Sequence, residues 1–160
     1  MNLSSKYIAQ VGIIASLYAV ITIILAPISY GPVQVRLSEA LTILPYLTSA
    51  AVPGLFIGCL VANVYGGSGL PDIIGGSLCT LLSAFLTYLL SKTRRPILAP
   101  LPPFVVNSLG VSLYLHLLVK WPYWITVASI ALGEFVACFV LGYPLLLFLL
   151  RRKKLVEMLK

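Results

Sequence analysis

Two polar residues set deep in apolar sequence, Glu134 and Asn107, carry side chains suited to reading a small polar solute. A carboxylate accepts hydrogen bonds only, whereas a carboxamide donates and accepts, so the pair can match the edge of a planar ligand. Glu134 lies eleven residues past Tyr123, roughly 16 Å along a helix at about 1.5 Å per residue, which is near mid-bilayer. Asn107 lies at a similar distance before the turn at residues 120–122, so the two belong at comparable depth on a helical hairpin. An ionised group there costs at least about 2.5–3.5 kcal/mol, which calls for a partner or a function. The alternative is an Asn–Glu bond that only joins two helices.

Further candidates surround this pair. Arg36 and Glu39 are three residues apart and share a helix face. They either pair with each other at the outer interface or line a ligand mouth, with residues 28–35 as its cover. Asp72 opens a helix, where capping and the helix dipole already favour a carboxylate. Asn63 beside Tyr65, and His116 near the outer end of its helix, are weaker candidates.

Catalytic constellations are missing from the sequence. There is no GxxxxGK[ST] nucleotide loop, no GxSxG elbow and no HExxH pair. Cys59, Cys79 and Cys138 each stand alone in an apolar run, in no metal-binding or disulfide pattern. One histidine and 4 carboxylates leave little for acid–base catalysis. The expectation is a binding site without catalytic residues, metal or cofactor, in a chain that is not an enzyme.

The elements that must hold these residues are membrane helices. Of the 160 residues, 60% are hydrophobic and only 9% charged, and the mean hydropathy is +1.05, against about 25% charged in soluble domains. The net charge of +7 comes from 11 Lys+Arg, most of them at the ends of apolar runs rather than on a nucleic-acid-binding face. The pattern predicts one all-α domain over residues 1–160 with six transmembrane helices, at 7–26, 37–48, 53–65, 72–90, 98–119 and 123–150. The second and third are short and form a hairpin turning near 49–53. The first is too long for a signal-peptide core and lacks a cleavage site. Lys6, Lys92, Arg94, Arg95, residues 151–154 and Lys160 fall on one side, and Arg36 and Lys120 on the other. This bias predicts a cell-membrane protein with both termini cytoplasmic. Trp121 and Trp124 flank the outer turn as interfacial aromatics do. The basic run at 151–154 can also meet anionic lipid, although a topology anchor suffices to explain it. Small residues recur at four-residue spacing in Gly12/Ser16, Ala15/Ala19 and Gly54/Gly58/Ala62, with internal packing as the simplest reading.

Several segments together resemble a known family. Residues 15–19 (ASLYA) resemble the AxxxA motif of substrate-binding S-components of energy-coupling factor (ECF) transporters. Residues 33–41 (VQVRLSEAL), 44–47 (LPYL), 51–58 (AVPGLFIG), 72–78 (DIIGGSL), 102–107 (PPFVVN) and Gly133-Glu134 are similar to the QueT queuosine-precursor transporters, in order along nearly the whole chain. The resemblance implies a six-helix S-component that captures a queuosine precursor, a 7-substituted 7-deazaguanine, outside the cell. It further implies delivery inward by toppling, together with a T-component and two cytoplasmic ATPases, with Ala15 and Ala19 on the face that meets the T-component. A deazaguanine offers a ring N–H and an exocyclic amine to one carboxylate, a carbonyl to Asn107, and a flat face to Tyr114 or Trp124. Both aromatics are equally suited to the membrane interface. An S-component for another vitamin-like solute and a small self-contained channel remain as alternatives. A channel would need a polar stripe across the whole membrane, whereas these polar groups gather toward the outer half.

Overall fold

The computed structural model of the chain describes residues 4–29, 36–67, 69–152 and 156–157, and every element among them is helical. We number the main segments α1 (Ser5–Ile24), α2 (Leu37–Tyr46), α3 (Ala51–Tyr65), α4 (Asp72–Ser91), α5 (Pro96–Val119) and α6 (Tyr123–Arg151). Four of them, α1, α4, α5 and α6, are long and apolar enough to cross a membrane, and α3 is a shorter apolar helix. Residues 30–35, most of the expected cover, lie outside the described residues, as do Lys153, Lys154 and Lys160.

Local sequence explains the boundaries. α1 ends at Ile24, a little before the expected stop, and Ala26–Ser29 adds one short helical turn. Gly67 and Gly69, at φ 62° and 85°, form the turn that precedes α4. Pro96, Pro100, Pro102 and Pro103 sit in the opening turns of α5, where a missing N–H costs least.

The expected hairpin at 37–65 takes an unexpected form, because α2 is a 3-10 helix. Pro45 has no N–H to give Leu41, and the Thr42 hydroxyl occupies the Glu39 carbonyl at 2.5 Å, so the α-type ladder fails at two places. At three residues per turn, residues i and i+3 eclipse. Glu39, Thr42 and Pro45 therefore fall in one row, and all three are buried.

α1 and α3 form the closest seam. A Cβ on Gly54 would lie 3.0 Å from Ile14 Cβ, and one on Gly58 would lie 2.7 Å from the Ala15 carbonyl oxygen and 2.8 Å from Tyr18 Cβ. The contacts advance together along both helices, so α1 and α3 run parallel. Small residues permit this approach, and dispersion between the backbones holds it. Ile14, Tyr18, Leu55, Cys59 and Ala62 fill the resulting core, with Ala84 of α4 beside them. A second cluster of Ile43, Leu47, Ala99 and Leu146 packs α2 against α5 and α6. Ile13, Leu17, Val20 and Ile24 point outward from α1, as lipid-facing side chains do.

The seam is testable. Gly58→Val must push α1 away, and overpacking of this kind costs about 1–3 kcal/mol. Gly12, whose Cβ would meet nothing within 4 Å, is the control. Thermal unfolding of the purified protein should show a lowered midpoint for Gly58→Val and an unchanged one for Gly12→Val.

Candidate functional site

Four helices converge on one buried polar cluster. The eclipsed row of α2 turns Glu39 inward, α5 supplies Asn107, α6 supplies Glu134 and α1 supplies Tyr18. The Asn107 amide nitrogen donates to Glu134 Oε1 at 2.9 Å and to Glu39 Oε2 at 3.2 Å. The Tyr18 hydroxyl donates to the other Glu39 oxygen, and the Cys138 thiol donates to Glu134 Oε2 at 3.2 Å. This fixes the amide's orientation, because its carbonyl turned the other way would face two carboxylates. The Asn107 carbonyl oxygen is buried and finds no hydrogen-bond partner among the described residues.

Beside the cluster is a cavity of about 20 Å³, room for about one water. Arg36, Glu39, Asn107 and Glu134 form its polar side; Val111, Ile130, Gly76 and Thr80 form the rest. Three of the chain's 4 carboxylates, Glu39, Asp72 and Glu134, are buried. Arg36 lines the same cavity as Glu39 and Glu134.

A second polar group adjoins the Gly76 wall. The Tyr114 hydroxyl donates to Asp72 Oδ1 at 2.5 Å, and the Asn63 amide donates to the Asp72 carbonyl at 2.9 Å. A Cβ on Gly76 would lie 3.2 Å from the Asn63 amide nitrogen and 3.4 Å from the Tyr114 hydroxyl. The Tyr114 ring packs against Gly75, where a Cβ would come within 2.7 Å of it. The helices widen to π-type turns at Asp72–Gly76, Leu115–Val119 and Phe135–Gly142, all close to site residues, and such turns are common at functional sites.

Of the residues singled out in the sequence, Glu134, Asn107, Glu39 and Arg36 meet at the cavity, and Asp72 and Tyr114 meet each other beside it. Glu39 is only 2% exposed and accepts from Tyr18 and Asn107. Trp124 stays apart: it is 75% exposed and packs edge-on against Tyr123 at 5.0 Å. His116 accompanies it at the α5–α6 turn, its Nδ1 2.7 Å from the Trp121 carbonyl oxygen, and Tyr65 is exposed. Ala19 is buried and Ala15 half-buried, with the Ala15 backbone against Gly58.

Tyr18, Thr80 and Cys138 were not foreseen as site residues. Helical spacing held the signal for Cys138, one turn beyond Glu134 and on the same face. Tyr18 lies inside the ASLYA stretch, where the small residues around it point to packing alone.

The arrangement offers carboxylate acceptors, an amide acceptor without a partner and a guanidinium, all enclosed by apolar walls. Small-molecule sites have this make-up. Among the described residues, no group of three or more His, Cys, Asp or Glu could hold a metal ion.

Comparison with known proteins agrees with the resemblance. A family model described as the QueT transporter matches residues 8–151. The queuosine precursor transporter QueT of Lactococcus lactis subsp. cremoris (strain MG1363) is 29% identical over 154 residues, covering 88% of this chain and 90% of the relative. No solved structure matches. The matched span holds every residue of the polar cluster, from Tyr18 to Cys138, and three of the four long apolar helices whole, with α1 from residue 8 onward. The chain is a multi-pass membrane protein and belongs to the QueT transporter family.

Proposed function

We propose that this protein is the S-component of an ECF-type importer and captures a 7-substituted 7-deazaguanine, a queuosine precursor, between Glu134, Asn107 and Glu39. The observation that carries this reading is the Asn107 amide, shared between two buried carboxylates while its own carbonyl oxygen has no partner among the described residues. A deazaguanine edge suits that arrangement. Its ring N–H and exocyclic amine give one carboxylate two charge-assisted bonds in place of one. The released amide N–H then turns to the ligand carbonyl. Arg36 balances charge at the mouth, and Tyr114, beside Asp72, provides an aromatic face. The cavity of about 20 Å³ must widen to admit a bicyclic solute. The ring on Gly75 and the π-type turns mark where the wall is least tightly wound.

Delivery inward follows the division of labour in ECF importers, with a T-component and two cytoplasmic ATPases acting on this chain. Ala15 and Ala19 take the T-component role from the family resemblance, at the place where α1 stays slim enough to lie on α3. A self-contained channel fits less well, because the described core toward the basic end of the bundle is Ile43, Leu47, Ala99 and Leu146. A polar path would have to run through that cluster. In this reading the six segments α1–α6 all belong to the membrane domain, with α2 and α3 as its short pair.

Two measurements test these statements. Glu134→Gln should weaken binding of a deazaguanine at least about tenfold, from the cost of leaving a buried polar group unmatched. An analogue lacking the exocyclic amine should bind the native protein poorly and lose much less in the variant. Equal losses for both ligands by titration calorimetry would reassign Glu134 to helix packing. Reporter fusions should place both termini in the cytoplasm, and an external signal from either would overturn the six-segment topology.

A further inference from the structure

A larger cavity lies at the opposite end of the bundle from the outer turn. It has a volume of about 460 Å³ and is bounded by Tyr46, Ser91, Arg94, Pro96, Leu150 and Val156. Tyr46 ends α2, Ser91, Arg94 and Pro96 belong to the α4–α5 turn, Leu150 lies at the end of α6 and Val156 beyond it. Tyr46, Ser91 and Arg94 bring polar groups to its lining, and Leu47, Pro96, Leu150 and Val156 bring aliphatic ones.

The surroundings are strongly basic. Lys92, Arg94, Arg95, Arg151 and Arg152 cluster in sequence around the cavity's own residues, and Glu157, next to Val156, is the one exposed side-chain carboxylate among them. Arg152 rests over the Phe148 ring at 5.3 Å, whereas Arg94 lines the cavity itself. Arg94 holds a left-handed backbone at φ 57°, a conformation unfavourable for a side chain with a Cβ. The turn is fastened by N–H bonds from Lys92, Thr93 and Arg94 back to Leu89, Leu90 and Ser91. From Pro96 in the cavity wall, exposed Ile97, Leu101, Val105 and Leu109 continue as an apolar stripe along α5.

The geometry points to a binding site for an anionic phospholipid, with the headgroup phosphate between Arg94 and Tyr46 and an acyl chain along the α5 stripe. A phosphate accepts from a guanidinium and a phenol together, and Arg matches its oxygens in a fixed fork. The aliphatic wall and the stripe select a lipid over free phosphate, which would gain nothing from either. This site shares no residue with the solute cavity and does not depend on its reading.

The test uses the full purified chain, with lipid retention followed by native mass spectrometry and by thermal midpoint. Samples are reconstituted with phosphatidylglycerol in phosphatidylcholine, with phosphatidylcholine alone, or with inorganic phosphate in detergent. The native protein should retain phosphatidylglycerol and shed phosphatidylcholine, and phosphate should leave the midpoint unchanged. Arg94→Gln should weaken phosphatidylglycerol retention about fivefold, the factor set by about 1 kcal/mol per basic residue at an anionic surface. Lys120→Gln, at the other end, should change nothing. Tyr46→Phe keeps the ring packing and should repeat the loss to a smaller degree, so it decides the matter if Arg94→Gln does not fold. Retention by the variants equal to the native protein's, equal retention of phosphatidylcholine, or a full response to inorganic phosphate would each overturn the proposal.

Discussion

The structure depends on how two carboxylates are kept inside an apolar bundle. Glu39 and Glu134 come from different helices and meet at one amide, that of Asn107. Removing ionised groups from water carries a penalty of several kcal/mol each, offset only by close, well-directed partners. The Tyr18 hydroxyl, the Cys138 thiol and the shared amide supply those partners, with Arg36 on the same cavity wall. α1, α2, α5 and α6 are thereby tied at a single point. An apolar cluster would hold such helices together with less specificity, since aliphatic contacts tolerate sliding and hydrogen bonds do not.

That junction relies on a seam that has no polar chemistry. Tyr18 reaches Glu39 because α1 lies backbone to backbone on α3, and it does so because Gly54 and Gly58 leave no side chain in the way. Thr22 extends the same connection, donating to Tyr18's carbonyl at 2.8 Å while lying 2.6 Å from the Ser38 hydroxyl. Packing between α1 and α3 and polar recognition between α1 and α2 are thus two sides of one helix.

Much of this was legible in the sequence, for identifiable reasons. Glu134 and Asn107 could be paired because a hairpin about a known turn sets equal depths on its two arms. The long helices were legible because an uninterrupted apolar run of about 20 residues has few other uses. The partners of Glu39 were not. An Arg-x-x-Glu spacing suits either an interfacial pair or a ligand mouth, and the tight winding of α2, which puts Glu39 in one buried row with Thr42 and Pro45, could not be read from it. Trp124 was legible as an interfacial aromatic but not as distant from the cavity, because depth along a helix says nothing about which face a residue occupies. The π-type turns left no mark in composition.

The winding of α2 also governs how that segment can change in length. With three residues per turn, adding or removing one residue rotates everything beyond it by about 120°. Glu39 and Thr42 would then no longer share a row with Pro45, and an aliphatic neighbour such as Leu41 or Leu44 would face the carboxylate cluster. A change of three residues restores the row and shifts it by about 6 Å along the axis. The segment therefore has a phase of its own, unlike that of the α-helices around it, and length variation that respects the site must come in triplets.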